Sequence, residues 1–139
     1  MLNPDGVYHG TYRMDTFGHN LNRFYNGSAP HRQPSIFAVQ ALIQYHSDDI
    51  VGYFDIHAHP ALKGSFFYGN AFSNLHEQIE SQLFAKIFSF NSESFIYEQC
   101  SFSEKNMNSK DINDILTKDG SARVCAYKKM PSAIHCYTL

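Results

Sequence analysis

His57 and His59 stand two residues apart, directly after an apolar run from Ile50 to Ile56. Neutral imidazole is the commonest metal ligand near neutral pH, and the ends of strands in open α/β sheets are where ligand sites gather. A His-x-His pair alone is weak evidence, because structural and surface histidines produce the same pattern more often. Arg13 and Arg23 lie in a stretch rich in Gly and Asn, with Asn20 and Asn22 beside Arg23. Guanidinium forks and amide donors suit a carboxylate or a phosphate. Composition alone favours the plainer account, two solvated surface arginines. Arg123 follows three small residues, Gly120, Ser121 and Ala122. It is either an edge-strand cation that snorkels to water or a buried cation facing an acidic group, and spacing does not decide between them.

The elements that must position these groups follow from patterning. Asn3-Pro4-Asp5-Gly6 carries turn chemistry, and residues 7–33 read as a long ordered loop. Pro34 opens a helix with Ile36, Val39, Leu42 and Ile43 at helical spacing. The run 50–56 reads as a buried strand, and Phe66–Tyr68 as a second one ending near Gly69. Asn74 with Glu77 three residues on is a capping-box start for a helix to about Phe90, with Leu75, Ile79, Leu83 and Ile87 on one face. Residues 101–120 read as loop-rich, and 124–127 and 134–139 as two further strands. Alternating helices and strands predict an α/β layer fold.

Composition narrows the function classes. The 139 residues are 43% hydrophobic and 17% charged, with a net charge of -2, which suits one globular domain and no general attraction to nucleic acid or acidic membrane. No apolar run is long enough to span a bilayer, and the N-terminus lacks the pattern of a signal peptide. Cys100, Cys125 and Cys136 have neither disulfide nor metal-ligand spacing, and read as packing residues with free thiols. A phosphate-binding glycine loop and a serine nucleophile elbow are both missing.

Taken in order, the segments Asn3-Pro4-Asp5-Gly6-Val7, Gly10-x-Tyr12-Arg13, Asn20-Leu21-Asn22-Arg23, Asp55-Ile56-His57-x-His59, Phe67-Tyr68-Gly69-Asn70, Phe102-Ser103-Glu104-Lys105-Asn106-Met107 and His135-x-Tyr137-Thr138-Leu139 resemble the zinc metallocarboxypeptidase family, in its cytosolic branch. The resemblance implies an α/β fold in which residues 1–139 form the central part of a zinc-carboxypeptidase-like domain, a mixed β-sheet flanked by helices. It implies that His57 is the third zinc ligand and that Arg13 stabilises the oxyanion. Asn22 and Arg23 would grip the substrate's terminal carboxylate, and Arg123 would set a side-chain pocket suited to glutamate. Tyr127 is a poorly spaced match for the family's mobile active-site tyrosine. The implied cofactor is zinc, the implied substrates are glutamylated protein tails such as those of tubulin, and the implied location is the cytoplasm.

Two departures qualify the resemblance. The family's His-x-x-Glu motif, which supplies the first two zinc ligands, does not occur here; His46-x-x-Asp49 has the nearest spacing and falls elsewhere in the order. The family's general-base glutamate follows Tyr-Thr-Leu, where this sequence stops. The expectation is an incomplete domain with one zinc ligand of three, inactive alone. The alternative is a binding module that keeps the carboxylate-gripping arginines without catalysis.

Overall fold

The computed structural model describes residues 1–110, 116–130 and 133–139. Its centre is a parallel pair of strands, β1 (Gly52–Asp55) and β2 (His135–Thr138), in register from Gly52 opposite His135 to Asp55 opposite Thr138. Parallel neighbours need a crossover connection, and the chain between them supplies helices α3 (Leu75–Asn91), α4 (Glu104–Asn108) and α5 (Ala122–Lys129). Two bonds carry the ladder past the strand ends: Leu139 N donates to Asp55 O (3.0 Å) and His57 N to Leu139 O (2.8 Å).

The sheet is less mixed than expected. Residues 66–68 run extended beside β2 without forming a regular strand. Tyr68 and Thr138 exchange both backbone bonds at 2.9 Å in an antiparallel bridge, and Tyr68 also bridges Ser101. That bridge is the antiparallel component; the named strands are parallel. The 50–56 run is not fully buried either: Val51 and Ile56 are exposed, and regular pairing covers only 52–55.

Of the helices on the N-terminal side, the one at Pro34 begins where the sequence places it, whereas the segment read as a turn at residues 3–6 opens a helix. Helices α1 (Pro4–His9) and α2 (Pro34–Tyr45) each start on proline, whose fixed φ suits the first turn. Asn3 caps α1 by accepting from Gly6 N, and Gly10 closes it in the left-handed region (φ 68°), where a Cβ would be strained. The expected 7–33 loop holds the end of α1, an antiparallel bridge between Met14 and Asn20, and a 3-10 turn at Leu21–Arg23. Of the α2 positions, Ile36 and Ile43 enter the core, Val39 packs partly against it, and Leu42 faces out.

Two expectations fail for physical reasons. Residues 124–127 are helix, not strand: they belong to α5, in which Ala122 through Ala126 are all buried. A short apolar run has no polar face to betray its period, so strand and buried helix look alike in sequence. The second concerns α3. Its start is as read, with Asn74 accepting from His76 N. Its apolar stripe of Leu75, Ile79, Leu83 and Ile87 faces outward, half or more exposed, while Ser81 and Ala85 are buried. The aromatic rings decide the orientation. Phe84 stacks on Tyr137 (5.5 Å) and Phe67 (6.2 Å), and Phe88 meets Phe67 and Phe95. Large rings bury more area per residue than leucine or isoleucine, so they claim the inner face.

Among the described residues the core forms three clusters. One joins Leu21, Tyr25 and Ile36 to Ala122 and Cys125; the second joins Ile43 to Ala126, Met130, Ala133 and Cys136; the third is Phe67, Ala85, Phe95 and Tyr137. Helix α5 contributes to the first two and packs on both strands, so it ties the N-terminal segments to the sheet. All three cysteines are free thiols. Residues 101–110 and 116–120 hold α4, a 3-10 turn at Lys118–Gly120 and isolated bridges at Ser101 and between Lys110 and Thr117; positions 111–115 of the expected 101–120 loop lie outside the described residues.

Candidate functional site

A cavity of about 590 Å3 opens where the 10–23 segment, the end of β1, the 64–68 segment and the start of α5 meet. Arg13, Asn22, Arg23, His57 and Arg123 all line it, although up to 110 positions separate them in sequence. The geometry assigns them different conditions.

His57 emerges from the end of β1, two residues after Asp55, so both side chains leave the same side of the strand. The His57 Nε2 lies 2.7 Å from Asp55 Oδ2 and 3.1 Å from Asn22 Nδ2. Asn22 Nδ2 is itself 3.1 Å from Asp55 Oδ2. A carboxylate only accepts, so Nε2–H and the Asn22 amide both donate to Asp55, and the short Nε2–Nδ2 approach is a contact between donors. This fixes the ring proton on Nε2 and leaves Nδ1 as the nitrogen that would bind a metal. A carboxylate behind the imidazole is the usual support for a metal-ligating histidine. His57 therefore fits one position of a zinc site. No group of three or more His, Cys, Asp or Glu able to hold a metal occurs among the described residues.

Asn22 is more engaged than a free substrate donor. Besides Asp55, its Oδ1 accepts from Ala122 N (2.8 Å), the first residue of α5. It links the His57 support to the helix that carries Arg123. Arg23 is buried, with Nη1 donating to Asn22 O at 2.7 Å. Gly120 holds that segment in place: it accepts from Tyr25 N (3.0 Å), and a Cβ there would strike the Arg23 carbonyl oxygen. Arg13 is exposed at the rim, its guanidinium 5.3 Å from the centre of the Tyr12 ring. Tyr12 itself adopts φ 57°, uncommon for a residue with a Cβ.

Arg123 is neither an edge-strand residue nor water-facing. It sits in the first turn of α5 and is 2% exposed. Nη1 donates to Gly69 O (2.6 Å) and Nη2 to Asn106 Oδ1 (3.2 Å), while Nε has no hydrogen-bond partner among the described residues. No carboxylate pairs with it among the described residues. Burial outweighs the favourable pull of Asp55 and Tyr68 and lowers its pKa well below the ordinary guanidinium value, to about 10. A cavity-lining cation held by two neutral acceptors is a strong attractor for an anion.

Three contributors carried signals that residue type alone does not make specific. Asp55 stood in the Asp-Ile-His-x-His segment, Asn106 in the Phe-Ser-Glu-Lys-Asn-Met segment, and Lys118 in the polar stretch before α5. Lys118 lines the cavity with its Nζ 5.9 Å from the Tyr68 ring centre. Among the described lining residues four are cationic (Arg13, Arg23, Lys118 and Arg123) and none is acidic. His59, Phe66 and Tyr68 form an aromatic wall. Tyr127 is elsewhere: it lines a separate cavity of about 430 Å3 and packs edge-on against Phe72.

Comparison with known proteins sets this geometry among relatives. No family model matches the chain. The whole chain aligns with cytosolic carboxypeptidase 6 of Homo sapiens at 34% identity over 143 residues, covering 26% of that protein. It also aligns with cytosolic carboxypeptidase-like protein 5 of Bos taurus at 27% identity over 226 residues, covering 25%. The chain thus spans about a quarter of the length of the curated relatives it matches. The longer alignment, at 226 positions for a chain of 139, contains insertions relative to this chain. Among solved structures, a metallo-carboxypeptidase from Burkholderia cenocepacia superposes with a TM-score of 0.74 at 24% identity, over 99% of this chain and 33% of that one. One from Pseudomonas aeruginosa, in complex with (2-guanidinoethylmercapto)succinic acid, gives 0.75 at 20% identity, over 99% and 34%.

Proposed function

Because this chain is kin to the cytosolic carboxypeptidases and has the fold of the metallocarboxypeptidases, we propose that its cavity receives the C-terminal end of an acidic peptide, as part of a zinc-dependent carboxypeptidase that removes glutamate. The observation that carries this is Arg123, a buried guanidinium without a carboxylate partner among the described residues, opening on the cavity that Arg13, Arg23 and His57 share. A terminal glutamate presents two carboxylates. Arg23, with Asn22 beside it, takes the backbone carboxylate, and Arg123 takes the side chain. Charge-assisted pairs of this kind supply both orientation and affinity.

The roles of the remaining groups follow from their placement. Arg13, at the cavity rim, is placed to lie over the scissile carbonyl and oppose the charge that develops on its oxygen. Asp55 orients His57 so that Nδ1 is the open nitrogen. Zinc, when bound, acts as a Lewis acid and lowers the pKa of its water. Glutamylated protein tails, tubulin's among them, are the proposed substrates, since a cationic cavity selects acidic ends. A second proposal, a binding module without hydrolysis, draws on the cationic lining alone, which suffices to hold an acidic end. Incubating the zinc-supplemented protein with a glutamate-ended peptide separates the two. Release of free glutamate supports the enzyme. Saturable binding without release supports the module. Neither binding nor release defeats both.

A further inference from the structure

His59 has a different chemical condition from His57, although the two stand side by side in sequence. Its Nδ1 accepts from Leu62 N (3.1 Å) and Ala61 N (3.3 Å). Two backbone N–H groups aimed at one ring nitrogen require its lone pair, so the ring proton resides on Nε2. The ring is held edge-to-face against Phe66 (5.5 Å between centres) and Tyr68 (6.5 Å), and it lines the cavity that holds Arg123 and His57. Pro60 follows it and narrows the backbone freedom of the turn that supplies those N–H groups. With Nδ1 occupied and Nε2 protonated, His59 offers the cavity a hydrogen-bond donor and no lone pair. The His-x-His pair thus divides into a ring that offers a lone pair, His57, and a ring that offers an N–H, His59.

We infer that His59 is a substrate-binding residue, donating from Nε2 to a carbonyl or carboxylate oxygen of the acidic peptide in the cavity, and not a metal ligand. This deepens the carboxylate-site proposal above and rests on it. The backbone tie to residues 61 and 62 pre-orders the donor, which lowers the entropy lost when it engages a ligand.

Two substitutions separate donor from loop support. In His59→Asn the side-chain oxygen falls where Nδ1 stood and keeps an acceptor for Ala61 N and Leu62 N, but nothing reaches the Nε2 position. In His59→Gln the amide reaches the Nε2 position, and the short-range acceptor is lost. The probe is acetylated tetraglutamate, with its Kd measured by calorimetry on the full protein. The expected result is about tenfold weaker binding in His59→Asn, as for one lost hydrogen bond to a charged group, and binding within about threefold of wild type in His59→Gln. 15N-imidazole spectra of the wild-type protein should show His59 as the Nε2–H tautomer. The opposite ranking, with Gln weak and Asn unaffected, would make His59 only a loop support and overturn the inference while leaving the carboxylate site intact. An Nδ1–H tautomer would overturn it as well. No binding of the probe by wild type would defeat the carboxylate site itself, and the donor role with it.

Discussion

Replacing Arg123 with methionine removes the charge and keeps an unbranched, apolar stem. Two effects on stability oppose each other. Burial lowers the guanidinium pKa from its ordinary value to about 10, which corresponds to roughly 3 kcal/mol of disfavour for the cation in the folded protein. Methionine relieves that cost. It also leaves Gly69 O and Asn106 Oδ1 without their donor, and an unsatisfied buried acceptor costs about 1–3 kcal/mol. The two oppose each other, so urea denaturation should place Arg123→Met within about 3 kcal/mol of wild type. Recognition has no such offset. A glutamate-ended peptide loses a charge-assisted pair worth about 1.5–3 kcal/mol, whereas a glutamine-ended peptide of the same shape loses far less. Wild type should therefore prefer the glutamate end by roughly tenfold to a hundredfold, and the variant should bind the two peptides almost equally. Calorimetric Kd values for both peptides, beside the denaturation curves, make the test. A large loss of stability with an unchanged glutamate-to-glutamine ratio would show that Arg123 serves only to tie α5 to Gly69 and Asn106.

Four further outcomes follow. Asp55→Ala should free the His57 ring, and 15N-imidazole spectra should change from one Nε2–H tautomer to a mixture; an unchanged spectrum would mean that another group orients the ring. Gly120→Ala should weaken peptide binding by displacing the Arg23 carbonyl, and thermal unfolding should show a loss of roughly 1–3 kcal/mol as an overpacked site; a silent substitution would mean that the turn yields freely. Phe67→Ala should cost about 3–5 kcal/mol by denaturant titration, since this fully buried ring stacks on Tyr137 at 4.6 Å and meets Phe95 at 4.8 Å; a loss below about 1 kcal/mol would show that the third cluster is not structural core. Burial pushes the thiols of Cys125 and Cys136 up to about 11 and about 12. Both should resist a thiol reagent near pH 8 in the native state, and stability should fall as pH rises above about 9, where the unfolded chain's thiols ionise and the folded ones do not. Rapid native labelling of either cysteine would refute their placement.

The sequence alone carried the local decisions. Pro34 and Asn74 mark helix starts because capping and fixed φ act within one turn of chain. Most of the candidate cluster was also legible before any coordinates, since Arg13, Asn22, Arg23 and His57 stood in ordered segments of one resemblance, whereas Arg123 lay outside all of them. Tertiary structure decided everything that depends on which neighbour arrives. The α3 periodicity shows that an apolar face exists, but only the competition with Phe84 and Phe88 for the Phe67–Tyr137 surface turns that face outward. Residues 124–127 have no polar side to display their period, so only packing against both strands and α2 reveals a helix. The same holds for charge. Arg123 in sequence is a cation after three small residues; whether it is solvated or buried depends on Gly69, 54 positions away, and on Asn106. Asn22 is a strut, not a free donor, because Asp55 and Ala122 reach it across 33 and 100 positions. Sequence records what a residue can donate, accept or bury, and long-range contacts determine which of those capacities are already spent.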